Sequence, residues 1–458
     1  MARLLSTTVL LGLLVGCGSK PFISSEAGAG GDGGTGDDAS SIWNDSGGPI
    51  GGGTPTCPGK ESSITGTVFA PNGTDPVPGA TVFIPSRVPE LFPPDVKCEV
   101  CGTYGNSTNL WFGTSKFDGT FELKNVCPGK YTLVFQNGRF RRVIEVNVPP
   151  SGTLKLTVNE TRLPRRTGEA HKGDSIPKMA VATGDYDKME CVLRKLGIQD
   201  DQFDLYEGAK VLVSPTKKLT PFKNLVGNLD LMKKYAVIFI NCTDNTFEDE
   251  LKKTAVRDNI EAYVNAGGRL YITDWSYDWM EQITGLAPFV DFQPDDSGEG
   301  PEGANAGALG ADGLKVQATI KDPNMAQWLA LFPGTITGDK VLVQHFLVEW
   351  VMMRKLGKDV KLWVEGDVKS KDGKVTGTLP LTVTYNFKNC GKILFSSYHT
   401  EGRDTEWLPP LYPGLPPMPN PKPFPEYCSA QMEPQDRILE YLIYDISNCI
   451  KPIDKPAP

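Results

Sequence analysis

Seven residues that can do chemistry or bind a ligand follow four apolar segments whose pattern predicts parallel β-strands. They comprise carboxylates, an amide, an indole, a hydroxyl and an imidazole. In an open parallel sheet, ligands bind beyond the carboxyl ends of the strands. The edge of the predicted sheet at which these strands end is therefore the candidate site. The residues are Asp185, Asn241, Asp244, Asp274, Trp275, Ser276 and His399.

Three residues offer the components of a hydrolase. Ser276 would be the nucleophile, His399 its base and Glu401 the acid that orients the base. Two other interpretations of His399 stay open, a hydrogen-bonded histidine at the sheet edge and a binding residue. Serine-dependent hydrolysis is therefore one hypothesis for this edge.

Aromatic residues surround Ser276. Trp275, Tyr277 and Trp279 are either core or rim aromatics, or they line a cleft for a sugar or a peptide, because flat amphipathic rings bind such ligands. We count Asp185, Asp244, Asp274, Trp275 and Tyr277 as candidate ligand-binding residues.

Strands and helices alternate from residue 178 to the end of the chain, which predicts a parallel sheet covered by helices. The strand over 235–242 is apolar on both faces, as central parallel strands are. The helix over 251–266 ends at Gly267 and Gly268. Further strands are predicted over 179–183, 269–273 and 392–397, and further helices over 188–196 and 434–447. The fold class is an α/β three-layer domain over 178–458.

Residues 61–163 have a different pattern, with short segments of period two separated by turn residues. Strands are predicted over 64–69, 80–85, 117–123, 128–135, 143–148 and 154–158, with a long loop over 86–112. Many short strands at regular spacing predict an all-β sandwich. A linker is expected over 164–177, so the chain is multidomain.

The beginning of the chain has the pattern of an export signal. Arg3 precedes a short apolar run, which ends in Leu14-Val15-Gly16-Cys17. These residues resemble the lipobox of bacterial lipoproteins, which implies that 1–16 is removed and that Cys17 carries the lipid. Residues 17–60 are rich in Gly, Ser and Asp and predict a disordered tether. We therefore expect a membrane-anchored lipoprotein at the outer membrane or cell surface.

Charge and histidine content exclude other classes. The net charge of −8 comes without a basic cluster, which argues against nucleic-acid binding. The three histidines argue against a multi-histidine metal site. No cofactor and no metal is predicted, and the expected partners are the membrane, through the lipid, and a glycan or protein ligand.

Besides Cys17 there are nine cysteines. In an exported protein they predict disulfides. Cys98 and Cys101 also have the spacing of a zinc or redox motif, so both alternatives stay open beside a disulfide framework that includes Cys57 and Cys127.

An acidic, glycine-rich insertion spans 285–313. Its oxygen ligands suit calcium, which makes a calcium-dependent adhesin a third hypothesis, but their spacing fits no EF-hand and a solvated loop is preferred. The ligands would be Asp291, Asp295, Asp296, Glu299 and Glu302. Residues 408–425 are proline-rich and predict an extended strap, or alternatively a polyproline ligand.

Residues in the first folded region resemble the carboxypeptidase regulatory-like family, a transthyretin-like sandwich. The matching stretches are Ile64-Thr65-Gly66-Thr67-Val68, Val77 to Val82, Asp118-Gly119-Thr120-Phe121 and Gly129 to Leu133. The resemblance implies an accessory domain without catalysis.

The second region resembles the class I glutamine amidotransferase-like fold. His399-Thr400-Glu401 stands where that family has its His-x-Glu pair, and 267–274 matches the strand that leads to its nucleophile. The family requires a cysteine between small residues at that turn. Here the turn reads Thr273-Asp274-Trp275-Ser276-Tyr277, which excludes cysteine-dependent amidotransfer.

The whole layout resembles uncharacterised surface lipoproteins of myxobacteria, in 189–198, 267–270, 390–393 and 434–449. The resemblance implies a pairing of Cys191 with Cys242 and of Cys428 with Cys449. Cys390 would be the odd thiol or would compete for Cys449. The preferred function is a non-catalytic surface lipoprotein with a binding or structural role, and the serine-dependent hydrolase is the alternative.

Overall fold

The computed structural model describes twelve segments of the chain, all within one compact unit that extends from Ser41 to Pro458. They are residues 56–57, 59–87, 89–99, 109–209, 218–243, 248–293, 303–344, 346, 349–388, 390–400, 424–428 and 431–449. The predictions for the signal peptide, Cys17, the tether up to residue 55, Cys101, Asp244, Glu401 and residues 408–423 lie outside these segments.

The amino-terminal described region is a β-sandwich. One sheet has the order β4 (Thr120–Val126), β1 (Ser62–Thr67), β7 (Gly152–Lys155). The other has the order β3 (Asn109–Thr114), β2 (Thr81–Pro85), β5 (Gly129–Asn137), β6 (Phe140–Val148). The rings of Phe121 and Phe135 meet between the sheets, with centroids 5.5 Å apart. The period-two pattern therefore predicted the sandwich correctly, except that β3 falls within the segment expected to be a loop.

A ten-stranded mixed sheet follows the sandwich. Six strands run parallel in the order β10 (Thr220–Pro221), β9 (Phe203–Glu207), β8 (Met179–Ala182), β11 (Val237–Ile240), β12 (Arg269–Thr273), β19 (Gly391–Ser396). Every residue of β8, β11 and β12 is buried. Strands that are apolar on both faces need cover on both faces, and this property made them recognisable in the sequence.

Four antiparallel strands continue the sheet beyond β19. They have the order β18 (Thr376–Phe387), β17 (Val360–Lys369), β14 (Val316–Ile320), β15 (Lys340–Val343). A separate pair joins β13 (Val290–Asp291) to β16 (Lys355–Leu356). The expectation of a parallel sheet over 178–458 is confirmed for the six strands above and is wrong for these four. The long strand β17 exposes alternate residues at its carboxyl end and so lacks the continuous apolar run of a central parallel strand.

Nine α-helices occur in the described residues. The longest, α9 (Pro434–Ser447), has the predicted bounds. It begins with a capping box between Glu433 and Asp436 and has Pro434 in its first turn. The predicted helix over 251–266 is two helices, α5 (Glu248–Leu251) and α6 (Thr254–Asn265). The others are α1 (Val158–Thr161), α2 (Met189–Lys195), α3 (Phe222–Val226), α4 (Leu229–Met232), α7 (Asp278–Glu281) and α8 (Pro323–Leu329).

The segment over 164–177, expected to be a linker, is held by a buried carboxylate. Asp174 is fully buried and accepts hydrogen bonds from Arg142 Nη1 at 3.0 Å and the Val143 N–H at 2.9 Å. It also accepts from the backbone N–H groups of Ala170 and His171. This loop is thereby fixed to β6 of the sandwich.

The sandwich also contacts α8 and α9 directly. Arg437 of α9 donates to Asp75 Oδ2 at 2.7 Å and to Glu440 Oε2 at 2.6 Å. The Trp328 indole of α8 donates to the Pro76 carbonyl at 2.8 Å. One contiguous hydrophobic core runs through both regions, so they pack as one body.

The disulfides correct the expected pairing. Cys57 pairs with Cys127, Cys98 with Cys390 and Cys191 with Cys428. Cys449 is also in a disulfide.

The expected pairs Cys191–Cys242 and Cys428–Cys449 are therefore wrong, and Cys390 is not the odd thiol. Cys191 packs against Tyr427, so its side chain faces the 424–428 segment and not the end of β11. Cys242 is buried and is the free cysteine among the described residues. Because Cys98 is bonded to Cys390, a zinc or redox motif with Cys101 is excluded.

Candidate functional site

Four parallel strands bring the candidate residues to one edge of the sheet. Asp185 follows β8, Asn241 and Cys242 follow β11, Asp274 follows β12 and His399 follows β19. Since β8, β11, β12 and β19 are consecutive neighbours in the sheet, their carboxyl ends lie side by side. All five of these residues are buried.

Asp187 is the centre of the hydrogen bonding at this edge. Its Oδ2 accepts from the Thr273 hydroxyl at 2.6 Å. Its Oδ1 accepts from the Thr400 hydroxyl at 2.5 Å, from the Thr400 N–H at 3.1 Å and from the Lys188 N–H at 2.9 Å. One carboxylate therefore joins the ends of β12 and β19 to the start of α2. Sequence reasoning missed this residue, because an aspartate in a polar turn after a strand is ordinarily a solvent-exposed turn residue.

A second group combines a thiol, a carboxylate and an imidazole. His399 Nε2 lies 3.2 Å from Asp274 Oδ2. One ligand-type atom from each of Cys242, Asp274 and His399 lies within 4.8 Å of the other two. Sequence reasoning placed Asp274 and His399 at this edge but assigned Cys242 to a disulfide. The signal that could have identified it is its position two residues after the end of β11.

The backbone at Asp274 is strained. Its φ is +42°, a left-handed conformation that non-glycine residues rarely adopt. The strand β12 changes there into a 3₁₀ turn over Asp274–Tyr277. Such strain persists only where surrounding contacts hold it, and here the Val351 N–H donates to Asp274 Oδ1 at 2.6 Å. Burial raises the pKa of Asp274, and the nearby His399 opposes that shift.

Ser276 has a partner other than the one that the hydrolase hypothesis requires. Its hydroxyl donates to the Asn241 carbonyl at 2.9 Å. A hydroxyl has a single hydrogen, and activation by a base requires that hydrogen to point at the imidazole. The structure thus directs the Ser276 hydrogen to the backbone just after β11, while His399 faces Asp274. Glu401, the third member, lies outside the described residues.

The remaining ligand-binding candidates differ in accessibility. Asp185 is buried, and its carboxylate accepts from the Thr243 hydroxyl at 2.5 Å. Tyr277 is fully buried and accepts from the Gly307 N–H at 2.8 Å. Trp275 is half-buried and makes an edge contact with Tyr277. Among the described ligand-binding candidates, Trp275 is the one that is partly exposed. The nearby Trp279 is a core residue.

Glu190 of α2 extends the polar network on the helix side. Its carboxylate accepts from the Tyr427 hydroxyl at 2.6 Å and from Asn241 Nδ2 at 2.9 Å. It is buried, and this burial raises its pKa, although the hydrogen bonds from Tyr427 and Asn241 act in the opposite direction.

Of the five proposed calcium ligands, the structure describes one. Asp291 lies in β13, and its carboxylate accepts from the Gln293 N–H at 2.8 Å. Asp295, Asp296, Glu299 and Glu302 lie outside the described residues.

Comparisons with known proteins give weak similarity. No family model and no curated protein matches the chain. The solved structures similar to parts of it include BcpA, the major pilin subunit of Bacillus cereus. That match has 12% identity and a TM-score of 0.15, and it covers 23% of this chain and 30% of the pilin chain.

A second similar structure is a chain of a type II cohesin–X-dockerin complex from Acetivibrio cellulolyticus. It has 18% identity and a TM-score of 0.17, and the match covers 31% of this chain and 95% of that chain. These TM-scores are too low to support a functional argument, so the function is argued from the residues. Within the part of the chain that the structure describes, none of the helices has the length and apolarity that a bilayer span requires.

Proposed function

We propose that this protein is a membrane-anchored surface lipoprotein with a non-catalytic binding or structural role. The hydrogen bond from the Ser276 hydroxyl to the Asn241 carbonyl carries the proposal. It commits the hydrogen that a nucleophile must give to its base, and Ser276 is itself buried. The charged groups beside it are buried as well, as expected of side chains that hold strand ends together.

The anchoring part of the proposal rests on the amino-terminal sequence, in which Leu14-Val15-Gly16 precedes Cys17. A lipid on Cys17 would place the folded part at the outer membrane or cell surface, on the tether over 17–60. An acyl chain buried in a bilayer contributes about 0.8 kcal/mol per methylene group, and more than one chain gives stable anchoring.

The family assignments are part of the same proposal. A carboxypeptidase regulatory-like domain over 61–163 is supported by seven short strands in two facing sheets. An amidotransferase-like domain over 178–458 is supported by the parallel order β8, β11, β12, β19 and by the left-handed residue Asp274 at the turn after β12.

A fluorophosphonate probe distinguishes the proposal from the serine hydrolase, because it labels serines that a base activates. The full chain is incubated with the probe and its intact mass is measured. We expect no adduct. An adduct that maps to Ser276 and disappears in Ser276→Ala would establish the hydrolase and refute the non-catalytic role.

Lipidation is tested by growth with an alkyne-labelled fatty acid and detection of the label on the purified chain. The label should be present on the wild-type protein and absent from Cys17→Ser, with Ser19→Ala as the matched control that keeps it. Equal labelling of Cys17→Ser would contradict the anchor.

A ligand role is tested on glycan and peptide arrays. Trp275 offers a partly exposed ring at the candidate edge, so Trp275→Ala should reduce any specific signal at least about tenfold. Phe112→Ala removes an exposed aromatic ring from the sandwich and should leave the signal unchanged. Equal loss in both variants would place the binding surface elsewhere.

A further inference from the structure

We propose that Cys242, Asp274 and His399 bind one zinc ion that joins the carboxyl ends of β11, β12 and β19. The three side chains are a thiol, a carboxylate and an imidazole, which are the ligand types that zinc uses in proteins. They come from three adjacent strands, so a shared ion would cross-link the sheet where its backbone pairing ends.

The distances suit a zinc site. Tetrahedral zinc with bonds of about 2.0–2.3 Å separates its ligand atoms by about 3.3–3.8 Å. Asp274 Oδ2 and His399 Nε2 are 3.2 Å apart, and the ligand atoms of all three residues lie within 4.8 Å of one another. Closing around an ion therefore requires movement of about 1 Å or less, which small side-chain rotations provide.

Neighbouring backbone groups already orient two of the ligands. The Val351 N–H holds Asp274 Oδ1, which leaves Oδ2 directed at His399. The Cys242 N–H donates to the Thr273 hydroxyl at 3.0 Å, which fixes the backbone that carries the thiol. Outer contacts of this kind fix ligand geometry and are typical of metal sites in proteins.

The strained backbone supports the same conclusion. The φ of +42° at Asp274 costs of order 1–3 kcal/mol for a non-glycine residue. It directs a carboxylate into a fully buried position, where an isolated charge is strongly disfavoured. A bound cation would add to the Val351 N–H and the neighbouring His399 in compensating these costs.

The charges balance when zinc is bound. The Cys242 thiol loses its proton to solvent, Asp274 is a carboxylate, and His399 binds through a neutral imidazole nitrogen. The two negative ligands then cancel the two positive charges of Zn²⁺. All three residues are buried, at 0%, 0% and 3% exposure, so an electrically neutral centre is what this environment favours. Water or a further group would complete the coordination.

The test uses the full chain, purified in detergent from cells grown with added zinc. The metal content is measured by inductively coupled plasma mass spectrometry, and we expect about one zinc ion per chain. Cys242→Ser and His399→Gln should each reduce the content at least about tenfold. His171→Gln is the matched control, because His171 lies on the 164–177 loop and bonds to the Gly173 N–H.

Cobalt replacement in the wild-type chain provides a second measurement that needs no variant. Co²⁺ bound to Cys242 should give a thiolate-to-cobalt absorption band in the near ultraviolet, and added Zn²⁺ should remove it. Absence of both zinc and this band would overturn the proposal. Zinc that persists unchanged in Cys242→Ser and His399→Gln would also overturn it, by placing the ion elsewhere.

Discussion

Replacement of Asp187 by alanine tests whether the buried carboxylate holds the candidate edge together. It accepts four hydrogen bonds, from the Thr273 hydroxyl, from the Thr400 hydroxyl and N–H, and from the Lys188 N–H.

The expected loss of stability in Asp187→Ala follows from the donor groups that the variant would leave without an acceptor. The Thr400 N–H is buried, and a buried donor without a partner costs about 1–3 kcal/mol. The two hydroxyl bonds to the carboxylate contribute about 1.5–3 kcal/mol each, part of which the hydroxyls recover by rotating to other acceptors. We expect a loss of about 3–5 kcal/mol in the free energy of unfolding, as for removal of one member of a buried charged network.

The variant Asp187→Asn keeps the shape of the side chain but removes its charge. Its amide oxygen can replace Oδ1 and keep the bonds from Thr400 and Lys188. Its NH₂ group would face Thr273, whose hydroxyl would have to accept that donor as well as the Cys242 N–H. The hydroxyl hydrogen of Thr273 then needs a new acceptor, so this variant should lose about 1–2 kcal/mol.

Urea unfolding followed by tryptophan fluorescence measures both variants against the wild type. The reasoning predicts a loss that is at least twice as large for alanine as for asparagine. A loss below about 1 kcal/mol for Asp187→Ala, or equal losses for the two variants, would show that the carboxylate does not hold this edge.

Two further predictions concern pH and packing. Burial raises the pKa of Glu190 above its ordinary value of 4.5, so the contribution of Glu190 to stability is present at low pH and is lost as the pH rises through the raised pKa. Glu190→Gln removes this dependence, and its free energy of unfolding should therefore increase relative to that of the wild type as the pH rises from 4.5. A difference between the two proteins that stays constant with pH would contradict this prediction. A Cβ added at Gly138, where φ is +55°, would stand 1.9 Å from the Ser447 carbonyl oxygen, so Gly138→Ala should lower the free energy of unfolding by more than about 2 kcal/mol. Gly168 has a φ of +68° but open space around it, so Gly168→Ala should lower it by about 1 kcal/mol. The same urea assay measures both variants.

Elements with a strong local pattern could be predicted from the sequence. The bounds of α9 follow from Pro434 in its first turn and from the helical spacing of its apolar residues, and the structure has the same bounds. The strand β11 was recognisable because every residue of Val237–Ile240 is apolar, as a strand buried on both faces requires. Asp274 and His399 could be placed at one edge because strands that alternate with helices predict a parallel sheet, whose strands end at the same edge.

Contacts between distant segments could not be predicted in this way. The pairing of Cys191 with Cys428 depends on which face of α2 the 424–428 segment covers, and sequence separation carries no information about that. The strands between residues 316 and 387 lack the continuous apolar run that identified the parallel strands, and β17, for example, exposes alternate residues at its carboxyl end. They were missed for this reason.

The sequence by itself determined the two patterns of this chain, period two in the sandwich and buried apolar strands in the sheet, because both depend on residues close in the chain. Tertiary structure alone decided that Thr400 returns to Asp187, that Cys242 remains a thiol beside Asp274 and His399, and that Ser276 donates to Asn241. Each of these depends on the relative placement of strands that are far apart in sequence, and hydrogen bonds at that edge are set within a few tenths of an ångström by packing of the whole core.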